Sequence, residues 1–137
     1  MTERWYAIAL VVSLLWGSGS FFGKIALTKD IPYRVYFFEG IGTLTVLSFL
    51  IFFKKQEIFS DFSINVFGLL MGLSWGVGTI LFIIALQPAK LSVLVPLTAI
   101  YPAYTVLLSF LFLGERLESR EIIGIIFAIA SALLLAK

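Results

Sequence analysis

Five apolar stretches, residues 5–23, 33–53, 64–86, 91–113 and 122–136, take up most of this 137-residue chain. A helix that crosses a bilayer needs roughly 17–25 mostly apolar residues, and four of the five meet that length directly. The fifth reaches it, as 121–137, once its flanks Glu121 and Lys137 are counted, because long charged side chains extend to the interface while their stems stay in apolar surroundings. In hydrocarbon each backbone N–H and C=O must be satisfied within the segment, so such stretches fold as helices. The expectation is an all-α, polytopic membrane protein of five transmembrane helices.

Composition supports this and narrows the chemistry. Sixty-one per cent of the residues are hydrophobic and the mean hydropathy is +1.07, above the roughly 45–50% apolar share of soluble domains. The chain has no cysteine and no histidine. That removes thiolate ligands, the commonest metal ligand and the usual acid–base group near neutral pH. Metalloenzymes and Ser-His-Asp hydrolases are thereby excluded, and with no catalytic constellation the chain does not read as an enzyme. The sequence calls for neither metal nor cofactor. A net charge of +2 is too small and too dispersed for nucleic acid. The first stretch is too long for a typical signal core, and Trp16-Gly17-Ser18-Gly19-Ser20 before Phe21 and Phe22 is a poor cleavage site, so it reads as an ordinary first span.

The expected loops are short: 28–32, 54–63, 87–90 and 114–121. They leave no room for a linker or an extramembrane module, so residues 1–137 read as one domain. Orientation normally follows an excess of Lys and Arg in cytoplasmic loops. Arg4, Lys54, Lys55, Arg116 and Arg120 fall on one side of the five spans, and Lys24, Lys29, Arg34, Lys90 and Lys137 on the other. Five against five leaves almost no bias, which fits either small-number noise or insertion in both orientations. Trp16-Gly17-Ser18-Gly19 in the first span has an echo in Trp75-Gly76-Val77-Gly78 in the third. An old duplication and the small-residue bias of membrane helices explain it equally.

Small residues recur four apart at Ser13 and Gly17, at Gly68, Gly72 and Gly76, and at Gly124, Ala128 and Ala132. Such faces let helix backbones approach closely, which is how helices associate in lipid. The stripe Gly68–Gly76 is expected to pack within the protomer.

Four features are candidates for function. Glu39 lies four residues, roughly 6 Å, from the centre of the second span. A carboxylate there costs on the order of 2–3 kcal/mol, and the default reading of such a residue is functional. Lys24 and Arg34 are its expected ion-pair partners, and a static Lys24–Glu39 pair joining two helices is the structural alternative. Pro96 and Pro102 in the fourth span each lack the N–H that would bond the carbonyls of Ser92 and Thr98. Broken backbone at membrane depth is tolerated where it is buried in protein or lines a cavity, so this span is either a bent packing helix or a cavity wall, with Tyr101 and Tyr104 beside the second break. Trp16 and Trp75 sit mid-span, away from the interfacial belts where aromatic residues anchor helices. They are either cavity walls or core filling.

The run Ser92-Val-Leu-Val-Pro96-Leu-Thr-Ala-Ile-Tyr101-Pro102, the turn Phe112-Leu-Gly114-Glu115-Arg116 and the small-residue last span resemble the EamA domain of the drug/metabolite transporter superfamily. Trp16-Gly17, Lys24 and Tyr36-Phe-Phe-Glu39-Gly40-x-Gly42 carry the likeness to the start of the chain. The resemblance implies one five-span half of a transporter whose family members commonly have ten spans in two inverted halves. It implies a secondary transporter moving a small organic solute across the inner membrane of a prokaryotic cell, as a homodimer whose copies are antiparallel. Glu39, Lys24, Trp16, Trp75, Tyr101 and Tyr104 would then face solute or coupling ion, Pro96 and Pro102 would shape the cavity, and Gly114 and Glu115 would form a structural turn. The related four-span multidrug proteins carry their carboxylate in the first span, whereas here it is in the second. A non-transporting partner subunit that completes or regulates another membrane protein is the alternative.

Overall fold

In a computed structural model, which describes residues 4–60 and 63–135, every regular element is helical. The chain runs through α1 (Arg4–Ala26), α2 (Pro32–Phe59), α3 (Val66–Leu86), α4 (Leu91–Thr98), α5 (Tyr101–Leu108), a π-helical turn (Ser109–Leu113) and α6 (Ser119–Leu135). Among the described residues, four segments are long and apolar enough to cross a membrane: α1, α2, α3 and the composite Leu91–Leu113. α6 has 17 described residues, about 26 Å at 1.5 Å per residue, against a hydrocarbon core of roughly 30 Å. Residues 136–137 of the expected fifth span lie outside the described residues, as do residues 61–62 of the expected loop 54–63.

The second span departs from expectation at its far end. Residues 54–59, assigned to a loop from their charges, continue the helix. Lys54 marks the junction, with φ −120° and ψ 21°, outside helical geometry. The apolar span therefore stops where hydropathy predicts, and a polar helical turn follows at a new angle. Lys54 Nζ reaches Glu57 Oε1 at 2.6 Å within that turn. α2 begins with Pro32 in its first turn, where the missing N–H costs nothing and the fixed φ suits a helix. α3 begins with Asn65, whose side chain accepts the Gly68 N–H at 2.9 Å and so satisfies one of the unpaired donors of the first turn.

The chain packs as two units, one running to Pro88 and the other beginning at Ala89. In the first, the buried residues among those described are Pro32, Ile83 and Leu86. All three lie at the end where α1 finishes, α2 starts and α3 finishes. A Cβ placed on Gly23 would meet Leu86 Cδ2 at 3.7 Å, so α1 and α3 come together here. Farther along α3, a Cβ on Gly76 would lie only 3.3 Å from the Tyr36 hydroxyl. Of the stripe expected to pack within the protomer, Gly76 is thus in close helix contact. Gly72 faces open space, and Gly68 meets only its own cap residue Asn65. In the second unit α4 and α5 pack on α6, and Leu94 and Ala132 are the buried residues. Elsewhere large apolar side chains are exposed, Phe67 at 84% among them, as suits helices whose solvent is lipid.

The Gly76–Tyr36 approach generates a contrast. Gly76→Leu should overpack the α2–α3 contact at a cost of about 1–3 kcal/mol, and Gly72→Leu, pointing into open space, should cost little. Thermal unfolding in detergent, followed by tryptophan fluorescence, measures both. Equal midpoints for the two variants would contradict this packing.

Candidate functional site

The expected partners of Glu39 are engaged elsewhere. Lys24 closes the last turn of α1, and its ammonium donates to the carbonyls of Leu86 at 2.8 Å and Gln87 at 3.2 Å. The cause is local electrostatics. The last carbonyls of a helix have no intrahelical donor and carry the negative end of its dipole, so a cation within reach settles there. Arg34 pairs with Asp30 one turn earlier on the same strand of chain. The Glu39 carboxylate instead accepts from the Thr43 hydroxyl at 3.4 Å, one helical turn along α2. It is exposed and forms no ion pair among the described residues. The static Lys24–Glu39 pair is accordingly replaced by a Lys24 tie between α1 and α3 and a carboxylate with a neutral neighbour.

Trp16 and Trp75 do meet. Their ring centroids are 5.2 Å apart at an interplanar angle of 56°, within the range favoured by tilted aromatic pairs. Each ring is about half exposed, at 51% and 49%. The two Trp-Gly motifs therefore put matching residues of α1 and α3 in contact, and the pair presents indole surface rather than hiding it.

In the second unit the fourth apolar stretch is interrupted at Ala99–Ile100, between α4 and α5. Pro96 sits inside α4 and Pro102 in the first turn of α5. The break thus belongs with the second proline, which cannot donate to the Thr98 carbonyl, while α4 carries Pro96 within its helical run. The Ala99 N–H turns back to the carbonyls of Val95 and Pro96 at 3.1 and 3.2 Å, a tightened end that spares its donor. Tyr101 and Tyr104 follow the break, and both are exposed. The stretch then ends in the π-helical turn. Gly114, at φ 67°, adopts the left-handed conformation that glycine reaches without a Cβ clash. Its N–H and that of Glu115 both converge on the Ser109 carbonyl.

Past this turn, the start of α6 is tied down by its own residues. Glu121 Oε2 accepts the Glu118 backbone N–H at 2.8 Å, in the manner of a capping box, and Arg120 Nε pairs with Glu118 at 3.1 Å. A recess on α6, lined by Phe127, Ala130, Ser131, Leu134 and Leu135, contains none of the candidate residues. Sequence reasoning missed the Leu86 and Gln87 carbonyls, since no residue type marks a helix end 62 positions away. Thr43, four residues after Glu39 and so on the same helix face, carried a readable signal.

Comparison with known proteins gives a coherent picture. The model of the EamA-like transporter family matches residues 3–137. An uncharacterized protein of Methanocaldococcus jannaschii is 33% identical over 129 residues, covering 94% of this chain and 93% of that protein. No solved structure matches.

The Lys24 tie has a measurable weight. Lys24→Met should destabilise the folded protein by about 1.5–3 kcal/mol, the usual worth of hydrogen bonds to a charged group. Lys29→Met, in the exposed turn after α1, should leave stability nearly unchanged. Thermal denaturation of both variants in the same detergent gives the comparison, and equal midpoints would remove the tie.

Proposed function

Because the chain belongs to the EamA-like transporter family, we propose that it is a secondary transporter that moves a small organic solute across the inner membrane of the cell and works as a homodimer. Family membership over the whole chain carries this reading. The chain's own residues supply its chemistry. Among the described residues, Glu39 is a carboxylate at membrane depth with only a hydroxyl neighbour, so its charge is available to a solute or a coupling ion. Trp16 and Trp75 offer a half-exposed indole pair for the apolar part of a solute. Tyr101 and Tyr104 follow a helix interruption of the kind that marks transporter sites. Pro102, and Pro96 one turn and a half before it, shape that segment.

A five-span half builds a two-sided site only with an inverted second half. α6 serves as the fifth span in this reading. The even division of Lys and Arg between the two sides lets the same chain insert either way and supply both halves of the dimer.

Two measurements test the proposal. Glu39→Gln should insert and dimerise as the parent does, yet abolish solute flux in proteoliposomes; full flux across a pH series would remove Glu39 from coupling. Orientation is read by cysteine labelling, which is clean because the chain has no cysteine of its own. Thr28→Cys and Gln56→Cys lie near opposite ends of α2 and leave the charge balance untouched. Each, tested alone in intact cells, should be partly labelled by an impermeant reagent. Complete labelling at one site and complete protection at the other would fix the orientation and defeat the antiparallel homodimer. Activity that depends on copurification of a different membrane protein would instead favour a partner subunit.

A further inference from the structure

Among the described residues of the first unit, burial is confined to one end. Pro32, Ile83 (5% exposed) and Leu86 (fully buried) lie where the end of α1, the start of α2 and the end of α3 converge. Away from that end, α1 and α3 expose Leu14, Trp16, Leu70 and Trp75 by about half or more. At the buried end α1 meets Leu86 beside Gly23, where a Cβ would sit in ordinary contact at 3.7 Å, and the next residue, Lys24, donates to the carbonyls of Leu86 and Gln87. Apolar contact between helices gains little in lipid, because acyl chains are as apolar as leucine. A directed, charge-assisted bond therefore contributes disproportionately to holding this end shut. It is also reversible, since water entering the end can satisfy both the ammonium and the carbonyls.

We propose that Lys24 is the latch of a gate at this end of the first unit. Its ammonium holds α1 against the C-terminus of α3 over the Ile83–Leu86 plug, and the plug becomes accessible to water when those bonds are released. The inference rests on the transport reading in that a gate serves a solute path. It assigns Lys24 a positioning role through α3, in place of direct contact with Glu39.

The test measures accessibility, not flux. Ile83→Cys, in an otherwise cysteine-free chain, is reacted with a charged, impermeant methanethiosulfonate reagent in nanodiscs, where both faces meet the reagent. Labelling should be slow with Lys24 present. With Lys24→Met added it should accelerate about tenfold or more, since losing a charged-group hydrogen bond shifts an opening equilibrium by at least that order. With Lys24→Arg, which keeps a donor at that position, it should stay slow. Leu14→Cys, some 200° around α1 from Trp16 by helix geometry and 72% exposed on an apolar span, reports general loosening and should stay unreactive in all backgrounds. Unchanged Ile83→Cys labelling in the Lys24→Met background would overturn the latch, as would an equal rise at Leu14→Cys. No solute is needed, so the outcomes separate. Labelling that depends on Lys24 without any flux counts against the transport reading, and flux without that dependence counts against the latch.

Discussion

The backbone's need for hydrogen-bond partners in a medium that offers none governs this molecule. Hydrocarbon cannot solvate an N–H or a C=O, so the long apolar stretches have no alternative to helix. The informative places are those where a helix stops. Asn65 answers for the start of α3, Glu121 for the residue that precedes α6, the Ser109 carbonyl gathers two donors past the π-helical turn, and Lys24 answers for the end of α3. These four ends have a named donor or acceptor, whereas α2, α4 and α5 begin without a side-chain cap.

Much of this was readable from residue order. The bounds of α1 and α3 and the composite fourth span follow hydropathy closely, because a span is an autonomous element whose length is set by the bilayer. The interruption in the fourth span was foreseeable from two prolines, and its placement at Ala99–Ile100 follows from the second. Two features were not readable. The polar turn after Lys54 was taken for loop, since charge marks the edge of the hydrocarbon and not the end of helical hydrogen bonding. The partner of Lys24 was misassigned to Glu39, because a near carboxylate is visible in sequence and a helix end 62 positions away is not.

The candidate site was legible as a set of residue types, less so as a set of pairings. Depth, which hydropathy gives, singled out Glu39. Contact, which depends on which helix faces meet, brought Trp16 to Trp75 and sent Lys24 to α3. Glycine carried a share of that information: Gly23 and Gly76 mark real approaches, whereas Gly72 and Gly124, on equally regular stripes, face open space. Spacing of small residues states that an approach is permitted, and only the neighbouring helix decides whether it occurs.

The change of backbone angle at Lys54 has a bearing on where this protein can reside. α2 has 28 residues, about 42 Å if straight, well beyond a hydrocarbon thickness of roughly 30 Å. The excess length is polar, with Lys54, Lys55, Gln56 and Glu57 in it, and belongs among the headgroups. Divided at Lys54, it presents an apolar portion of ordinary length and a polar turn set at its own angle. Residues 32–53, about 33 Å long, are then the length that a host bilayer has to match.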